Sequence, residues 1–364
     1  MKPLAFILVF LIFLSFMGYV FLRGYQCFSQ YPALRCAYSI AYVSLFAVMI
    51  TGWFIADYLP VRLGSALSFV GFTYLMLAIY MGAAFLLIDI FRLFVPLVET
   101  HRIGISAACF CLTAVALVVG NYQFNHPKVT TLAVSAENPS QHRQLRIVMA
   151  SDLHFGSNIR KEKAQGYVQL INAQTPDIVF FVGDIADRSI DPFVKQRIYE
   201  DLQGIQSKYG VYGVLGNHEH YSSDIKRNCE YYEKSGITML IDEAVLIDSS
   251  FYVVGRDDKV NTQRKTVAEI TANLDKKYPI ILLDHQPFGL EEAAQNGVAM
   301  QFSGHTHNGQ FFPGNLIVKA LFELPVGYKK KGGTHYYVSS GLGVWGPLFR
   351  IGTQSELVVV DFSY

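Results

Sequence analysis

The sequence predicts a bundle of about four transmembrane helices followed by a soluble α/β domain. Three observations carry that expectation. Residues 1–120 are apolar with few charges and hold four stretches long enough to cross a bilayer. From residue 145 onward, strand-like and helix-like segments alternate. Five short polar clusters punctuate this second half, four of them directly after an apolar run that reads as a strand.

The apolar stretches are roughly 3–22, 38–58, 66–91 and 103–120, each near the ~20 residues that a helix needs to span. The first begins with Lys2 like a signal peptide, but its apolar run is too long and no small-residue cleavage site follows, so it reads as a retained helix. Four spans put both ends of the segment on one side. Arg23, Arg35, Arg92 and Arg102 fall in the first and third loops, against Lys2, Arg62, Lys128 and Arg143 on the other side. The positive-inside rule then favours the first and third loops in the cytoplasm and the C-terminal domain outside it, with the chain in the cell (inner) membrane; without insertion of the short fourth span the orientation of that domain would reverse. Asp57 and Asp89 sit near span ends, and Asp89 has Arg92 one helical turn away, which reads as interfacial anchoring rather than an ion pathway. No repeated buried charges or paired Gly/Pro breaks suggest a transporter. Cys27 and Cys36 flank a short loop; a disulfide in an oxidising compartment and two unpaired thiols are both open. A net charge of +1 with no basic stripe argues against a nucleic-acid partner.

The expected organisation is a multi-pass helical domain over 1–122, a linker over 123–144 with Pro127 and Pro139, and a soluble domain over 145–364. Within the last, strands are expected at 145–150, 178–182, 211–215, 238–241, 244–247, 251–255, 280–283 and 298–302. Helices are expected at 160–174, 191–207 after Asp191-Pro192, 223–235 and 262–276, and the tail 310–364 reads as β.

The clusters are Asp152-Leu-His154, Gly183-Asp184, Gly216-Asn217-His218, Asp284-His285 and Gly304-His305-Thr-His307. Carboxylate oxygens and imidazole nitrogens in this number suit two metal ions side by side. Asp152 and His154, two apart on an extended segment, would face the same way. Gly183 would let the backbone approach Asp184 closely. Each cluster alone is weak; five in order are not.

On these blocks the chain resembles the calcineurin-like metallophosphoesterase superfamily over roughly 145–355. It is most similar to bacterial phosphoesterases of the YkuE type and to transmembrane proteins with a metallophosphoesterase domain. Two departures stand out: Asn308 within Gly-His-Thr-His-Asn-Gly-Gln310, and Glu219, which is expected to matter little. The resemblance implies a four-layer αββα sandwich around a two-sheet core. It implies that Asp152, His154 and His307 bind one metal, that Asp184 bridges, and that Asn217, His285 and His305 complete the second. It implies that His218 contacts phosphate and protonates the leaving oxygen, and that Arg350, after Gly341-Leu-Gly343, either touches phosphate or forms a salt bridge at the domain edge. The cofactors would be two divalent ions, Mn, Fe or Zn. The implied reaction is attack of a metal-bound hydroxide on a phosphoester or pyrophosphate bond.

The spans put the site within reach of a membrane, so a lipid or lipid-linked phosphoester is the expected substrate and membrane lipids the expected partners. Lys329-Lys330-Lys331 would meet anionic headgroups, and Phe311, Phe312, Leu316, Leu321, Phe322 and Leu324 would line an acyl groove, enter the interface or pack the core. The competing reading is a membrane sensor with a silent phosphoesterase domain.

Overall fold

The computed structural model describes residues 2–136, 143–222 and 224–364, and divides into two compact units, Met1–Gly120 and Asn121–Tyr364. The side chains of Lys2 and Asp57, and Pro139 in the expected linker, lie outside the described residues.

The first unit holds α1 (Lys2–Cys27), α2 (Pro32–Ile55), α3 (Val61–Phe91), α4 (Pro96–Thr100) and most of α5 (Arg102–Asn125). Pro32 and Pro96 open their helices, where the missing N–H has no intrahelical acceptor to lose. Four of these helices are long and apolar enough to cross a membrane. Their outward residues, such as Leu8, Val43, Leu86 and Val118, are exposed and apolar, as a lipid solvent requires. Asp89 is more than a partner of Arg92: it also takes the Arg23 guanidinium at 2.6 Å and the Tyr19 hydroxyl at 2.7 Å. The C-terminal ends of α1 and α3 are thereby tied, as they must be if successive spans alternate in direction. Cys27 and Cys36 are free thiols.

The second unit contains two six-stranded sheets. One has the order β1-β12-β2-β3-β4-β5, with β1 (Lys128–Ser135), β2 (Gln144–Ala150), β3 (Ile178–Val182), β4 (Val211–Val214), β5 (Ile237–Met239) and β12 (Glu356–Ser363). The other has the order β10-β11-β9-β8-β7-β6, with β6 (Glu243–Ile247), β7 (Phe251–Gly255), β8 (Ile280–Leu283), β9 (Val298–Ser303), β10 (Gly327–Lys331) and β11 (Thr334–Val338). Strands β2, β3, β4 and β5 run parallel to one another, and so do β7, β8 and β9.

Alternation along these strands sends side chains to two faces, and both faces are apolar. Ile147, Phe180, Val182, Val253, Ile281 and Phe302 meet between the sheets. Val148, Val179 and Phe181 point the other way, onto α6 (Lys161–Asn172), α7 (Asp191–Lys195), α8 (Ile198–Leu202) and α10 (Ile225–Lys234). Val254, Leu282 and Val338 cover the outer face of the second sheet with α11 (Val267–Thr271) and α12 (Leu290–Gln295). Three cores between four layers give the αββα sandwich. The remaining helices are α9 (Asn217–Tyr221) and α13 (Gly314–Leu321).

The differences from expectation have local causes. Part of the expected linker is β1, recruited because β12 is buried on both faces and leaves a strand edge that must be paired. The helix expected over 191–207 breaks at Arg197, whose φ of 56° is left-handed and ends α7 before α8 begins. The helix expected over 262–276 shrinks to α11, started by a Thr266–Glu269 capping box. The β-reading of 310–364 misses α13, where Leu316, Ile317, Ala320 and Leu321 fall at helical spacing. The fourth apolar helix runs to Asn125 rather than 120 because Phe124 is buried in the second unit's core.

Phe180 is fully buried and its ring lies 5.8 Å from Phe302 across the two sheets. Phe180→Ala is expected to cost about 3–5 kcal/mol, read as a lower denaturation midpoint of the purified chain in detergent.

Candidate metal centre

Five strand ends converge. β2, β3 and β4 of one sheet lead into Asp152/His154, Asp184 and Asn217/His218; β8 and β9 of the other lead into His285 and His305/His307. Within each sheet these strands are parallel neighbours, so their C-terminal loops share one edge, where open α/β sheets place ligand sites. The expectation for Asp152 and His154 needs correction in its reason. They are not on extended backbone: φ is 55° and 48°, and Asp184, His305 and His307 are also left-handed at 52°, 70° and 49°. Left-handed conformations are costly for residues with a Cβ and cluster at functional sites. The surrounding hydrogen bonds hold them: Asp152 N–H donates to the Gly183 carbonyl at 3.1 Å and His154 N–H to the Asp184 carbonyl at 2.9 Å.

Six of the seven expected ligands fall into two groups, and the seventh, Asn217, is buried and adjoins in the chain His218, whose N–H donates to Asp184. Asp152, His154 and His307 form one group with potential ligand atoms within 4.8 Å of one another; Asp184, His285 and His305 form another. Asp184 lies between them, its Oδ2 at 3.2 Å from His285 Nε2 and 3.8 Å from His154 Nε2. His154 and His307 approach at 3.1 Å between Nε2 atoms, and their rings are stacked. Gly183, at φ 77°, leaves room for the His285 ring, and Gly216 for the Asp184 carboxylate; a Cβ at either would collide.

The donor set fits divalent cations. Nδ1–H of His285 donates to the Val182 carbonyl at 2.8 Å, which fixes the tautomer and turns the Nε2 lone pair into the site. Among the described residues, His285 Nε2 and Asn217 Oδ1 are buried without a hydrogen-bond partner. Buried acceptors are rarely left so unless a further group satisfies them. Burial, reinforced by neighbouring imidazoles, pushes His154 down to about 4, His305 to about 3 and His307 well below its ordinary value. These rings are neutral at physiological pH, the state that can ligate. Burial alone would raise Asp184, but His285, His154 and His218 overturn it and hold the carboxyl well below its usual range.

Around this set, backbone donors orient the carboxylates. His305 N–H donates to Asp152 at 3.0 Å, across the two sheets, and His218 N–H to Asp184 Oδ1 at 2.8 Å. Asp284 does not enter the site; it is buried between Arg256 and Arg264 at 3.3 and 3.0 Å. Arg350 also lies elsewhere than expected. It is fully buried, and its guanidinium donates to the carbonyls of His307, Gly341 and Gly343 at 2.8, 3.0 and 2.6 Å. These donations hold the backbone of His307, and burial lowers the Arg350 pKa to about 10.

Two residues escaped sequence reasoning. Asp187 Oδ1 lies 3.0 Å from His218 Nδ1 and, despite burial, its carboxyl is held low by that ring. The available signal was a second carboxylate three residues after Asp184, in the same loop after β3. Glu219, expected to matter little, accepts from the N–H groups of Asp184, Ile185, Ala186 and Gly216 and from the Tyr232 hydroxyl, at 2.8–3.1 Å. It joins the loops after β3 and β4. Burial and Asp184 push it up to about 7, while its donors, all facing a group that only accepts, favour the carboxylate.

Residues 145–309 match the calcineurin-like phosphoesterase family. Among curated relatives, an uncharacterized metallophosphoesterase of Campylobacter jejuni is 32% identical over 64% of this chain and 62% of its own length. A transmembrane protein with metallophosphoesterase domain from Bos taurus is 30% identical over 71% of this chain and 63% of its own. An uncharacterized metallophosphoesterase of Aquifex aeolicus is 29% identical over 68% of this chain and 98% of its own. The chain thus spans about three fifths of the first and second of these relatives.

Glu219→Gln would turn an amide N–H₂ against backbone donors and leave several of them unsatisfied. Loss of at least about 2 kcal/mol of stability is expected, with lower bound-metal content, measured by thermal denaturation and elemental analysis of the same preparation.

Proposed function

We propose that this chain, a member of the calcineurin-like metallophosphoesterases, is a membrane-anchored hydrolase of a phosphoester or pyrophosphate bond, working at a site that binds two divalent cations. The observation that carries this reading is the pair of three-residue groups, Asp152/His154/His307 and Asp184/His285/His305, with Asp184 Oδ2 also 3.8 Å from His154 Nε2 and Asn217 Oδ1 and His285 Nε2 buried and unsatisfied. Asp152, His154 and His307 would hold one ion, Asn217, His285 and His305 the other, and Asp184 both. Mixed oxygen and imidazole ligands favour Mn, Fe or Zn. When bound, such ions supply Lewis acidity: they polarise a phosphoryl oxygen and lower the pKa of water.

The chain's own residues do the rest. The two carboxylates and the imidazoles of His154, His285, His305 and His307 provide ligand atoms that the fold holds in place, so little reorganisation is needed during reaction. His218 is the general acid for the leaving oxygen. Burial opposes its charge, yet Asp187, Asp184 and Glu219 outweigh burial and raise its pKa, which favours the protonated ring that a general acid needs. Asp187 is its positioning partner. The natural substrate is proposed to be a lipid or lipid-linked phosphoester, since four apolar helices precede the domain. The chain is proposed to lie in the inner membrane with the domain extracytoplasmic, an orientation that the arginines of the first and third loops support; a C-terminal alkaline phosphatase fusion that stayed inactive in cells would contradict it.

Chelation of the purified chain is expected to abolish hydrolysis of model mono- and diesters, with Mn, Fe or Zn restoring it. Asp184→Ala should lose more than the ~100-fold typical of removing an outer partner. Turnover that persisted in Asp184→Ala would sink the two-ion reading. His218→Ala should slow hydrolysis of esters with poor leaving groups by about 10²–10⁴. The rate should fall as pH rises through the raised His218 pKa. In Asp187→Asn the raising charge is gone, so this fall should begin at lower pH in a pH–rate profile.

A further inference from the structure

We propose that the rim of the metal site docks into the surface of a phospholipid bilayer through the apolar face of α13 and the indole of Trp345. Helix α13 is pinned to the histidine loop at both ends. Gly314 N–H donates to the Phe311 carbonyl at 2.6 Å, Thr306 Oγ1 donates to the Pro325 carbonyl at 2.6 Å, and the Phe322 ring stands edge-on to His305 at 6.1 Å. No residue of α13 is buried. Leu316, Ile317 and Leu321 are 55, 61 and 67% exposed on one face with Ala320, while Asn315 and Lys319 occupy the other. Trp345 is also exposed, 6.2 Å from the His218 ring. Gln310 locks its backbone, accepting from Trp345 N–H at 3.0 Å and donating to the Trp345 carbonyl at 2.9 Å. Apolar groups therefore flank the mouth on the His305 side and on the His218 side.

The occupant follows from continuity with the membrane. The loop that carries Trp345 also accepts, at the Leu348 carbonyl, a 2.9 Å bond from Asn121 Nδ2. Asn121 lies in the last turns of α5, one of the four helices apolar enough to span, and Phe124 in the same turn is buried in this unit. The rim is thus hydrogen-bonded to the end of a span, and the apolar phase nearest along the chain is the bilayer that the span crosses. A helix with leucine and isoleucine on one face, beside an exposed indole, is suited to the headgroup boundary. Lysines contribute less than the sequence suggested: Lys329 and Lys331 are paired with Glu323 and Glu291. Docking is therefore apolar and should resist salt. Its consequence, that the site receives phosphoesters carried by lipid headgroups, rests on the hydrolase reading; the docking itself does not.

The chain has two tryptophans, so Trp53→Phe leaves Trp345 as the only one. This full-length variant would be reconstituted in phosphatidylcholine vesicles whose acyl chains carry bromine close to the headgroup. Quenching of Trp345 emission relative to unbrominated vesicles is expected, unchanged by added salt. It should be lost when Leu316→Ser, Ile317→Ser and Leu321→Ser are combined. The same triple variant should keep its rate on soluble bis(p-nitrophenyl) phosphate but lose about tenfold or more on a phosphatidyl ester in the same bilayer. Water-like, unquenched Trp345 emission before the triple change would overturn the proposal, as would a change of oligomeric state on making it, which would assign the face to a second copy of the chain. If the soluble ester is not hydrolysed by the parent, the hydrolase reading fails, and the quenching result still decides the docking.

Discussion

The apolar seam between the two sheets is the constraint on which the site depends. One sheet supplies Asp152, His154, Asp184 and Asn217; the other supplies His285, His305 and His307. Neither half-set is complete. Phe180, Val182, Ile281 and Phe302, packed between the sheets, fix the spacing at which the carboxylates of one meet the imidazoles of the other. Interiors are packed too tightly to let such a spacing drift. The bond from His305 N–H to Asp152 and the bond from His285 Nδ1–H to the Val182 carbonyl then set the register across the seam.

Burial in that seam also sets the charge states. It drives His154, His305 and His307 neutral, while His285 and His218, whose pKa values are raised by the carboxylates beside them, keep Asp184 ionised. The same low-dielectric setting would make unpaired carboxylates expensive, and the loops respond with donors. Glu219 is the clearest case: one carboxylate gathers four backbone N–H groups and a tyrosine hydroxyl, and so joins the loops that present Asp184 and Asn217.

Strain is concentrated in the same place. Asp152, His154, Asp184, His305 and His307 all adopt left-handed backbone. A non-glycine residue held there requires surroundings that over-determine it. Arg350, buried among the carbonyls of His307, Gly341 and Gly343, provides part of that determination. A charged side chain for which the resemblance implied a phosphate contact or a domain-edge salt bridge holds a ligand-bearing loop in shape.

The sequence by itself determined the element types and the composition of the site. Apolar runs of span length marked the four helices, and continuous Val/Ile/Phe runs marked strands buried on both faces. Polar residues placed directly after those runs marked the side chains that the fold gathers, because a strand end is where a chain leaves the core and can present polar groups. What the tertiary structure decided is everything set by partners distant in the chain. Strand β1 forms because β12 needs a neighbour, although its own residues read as a linker. Glu219 and Arg350 take their roles from backbone groups that only folding brings beside them, and Asp187, a second carboxylate after β3 in sequence, takes its role from the His218 ring that folding brings within 3.0 Å. Local spacing reports which groups share a face; which groups face one another is settled by packing across the seam, and no short stretch of sequence contains both sides of it.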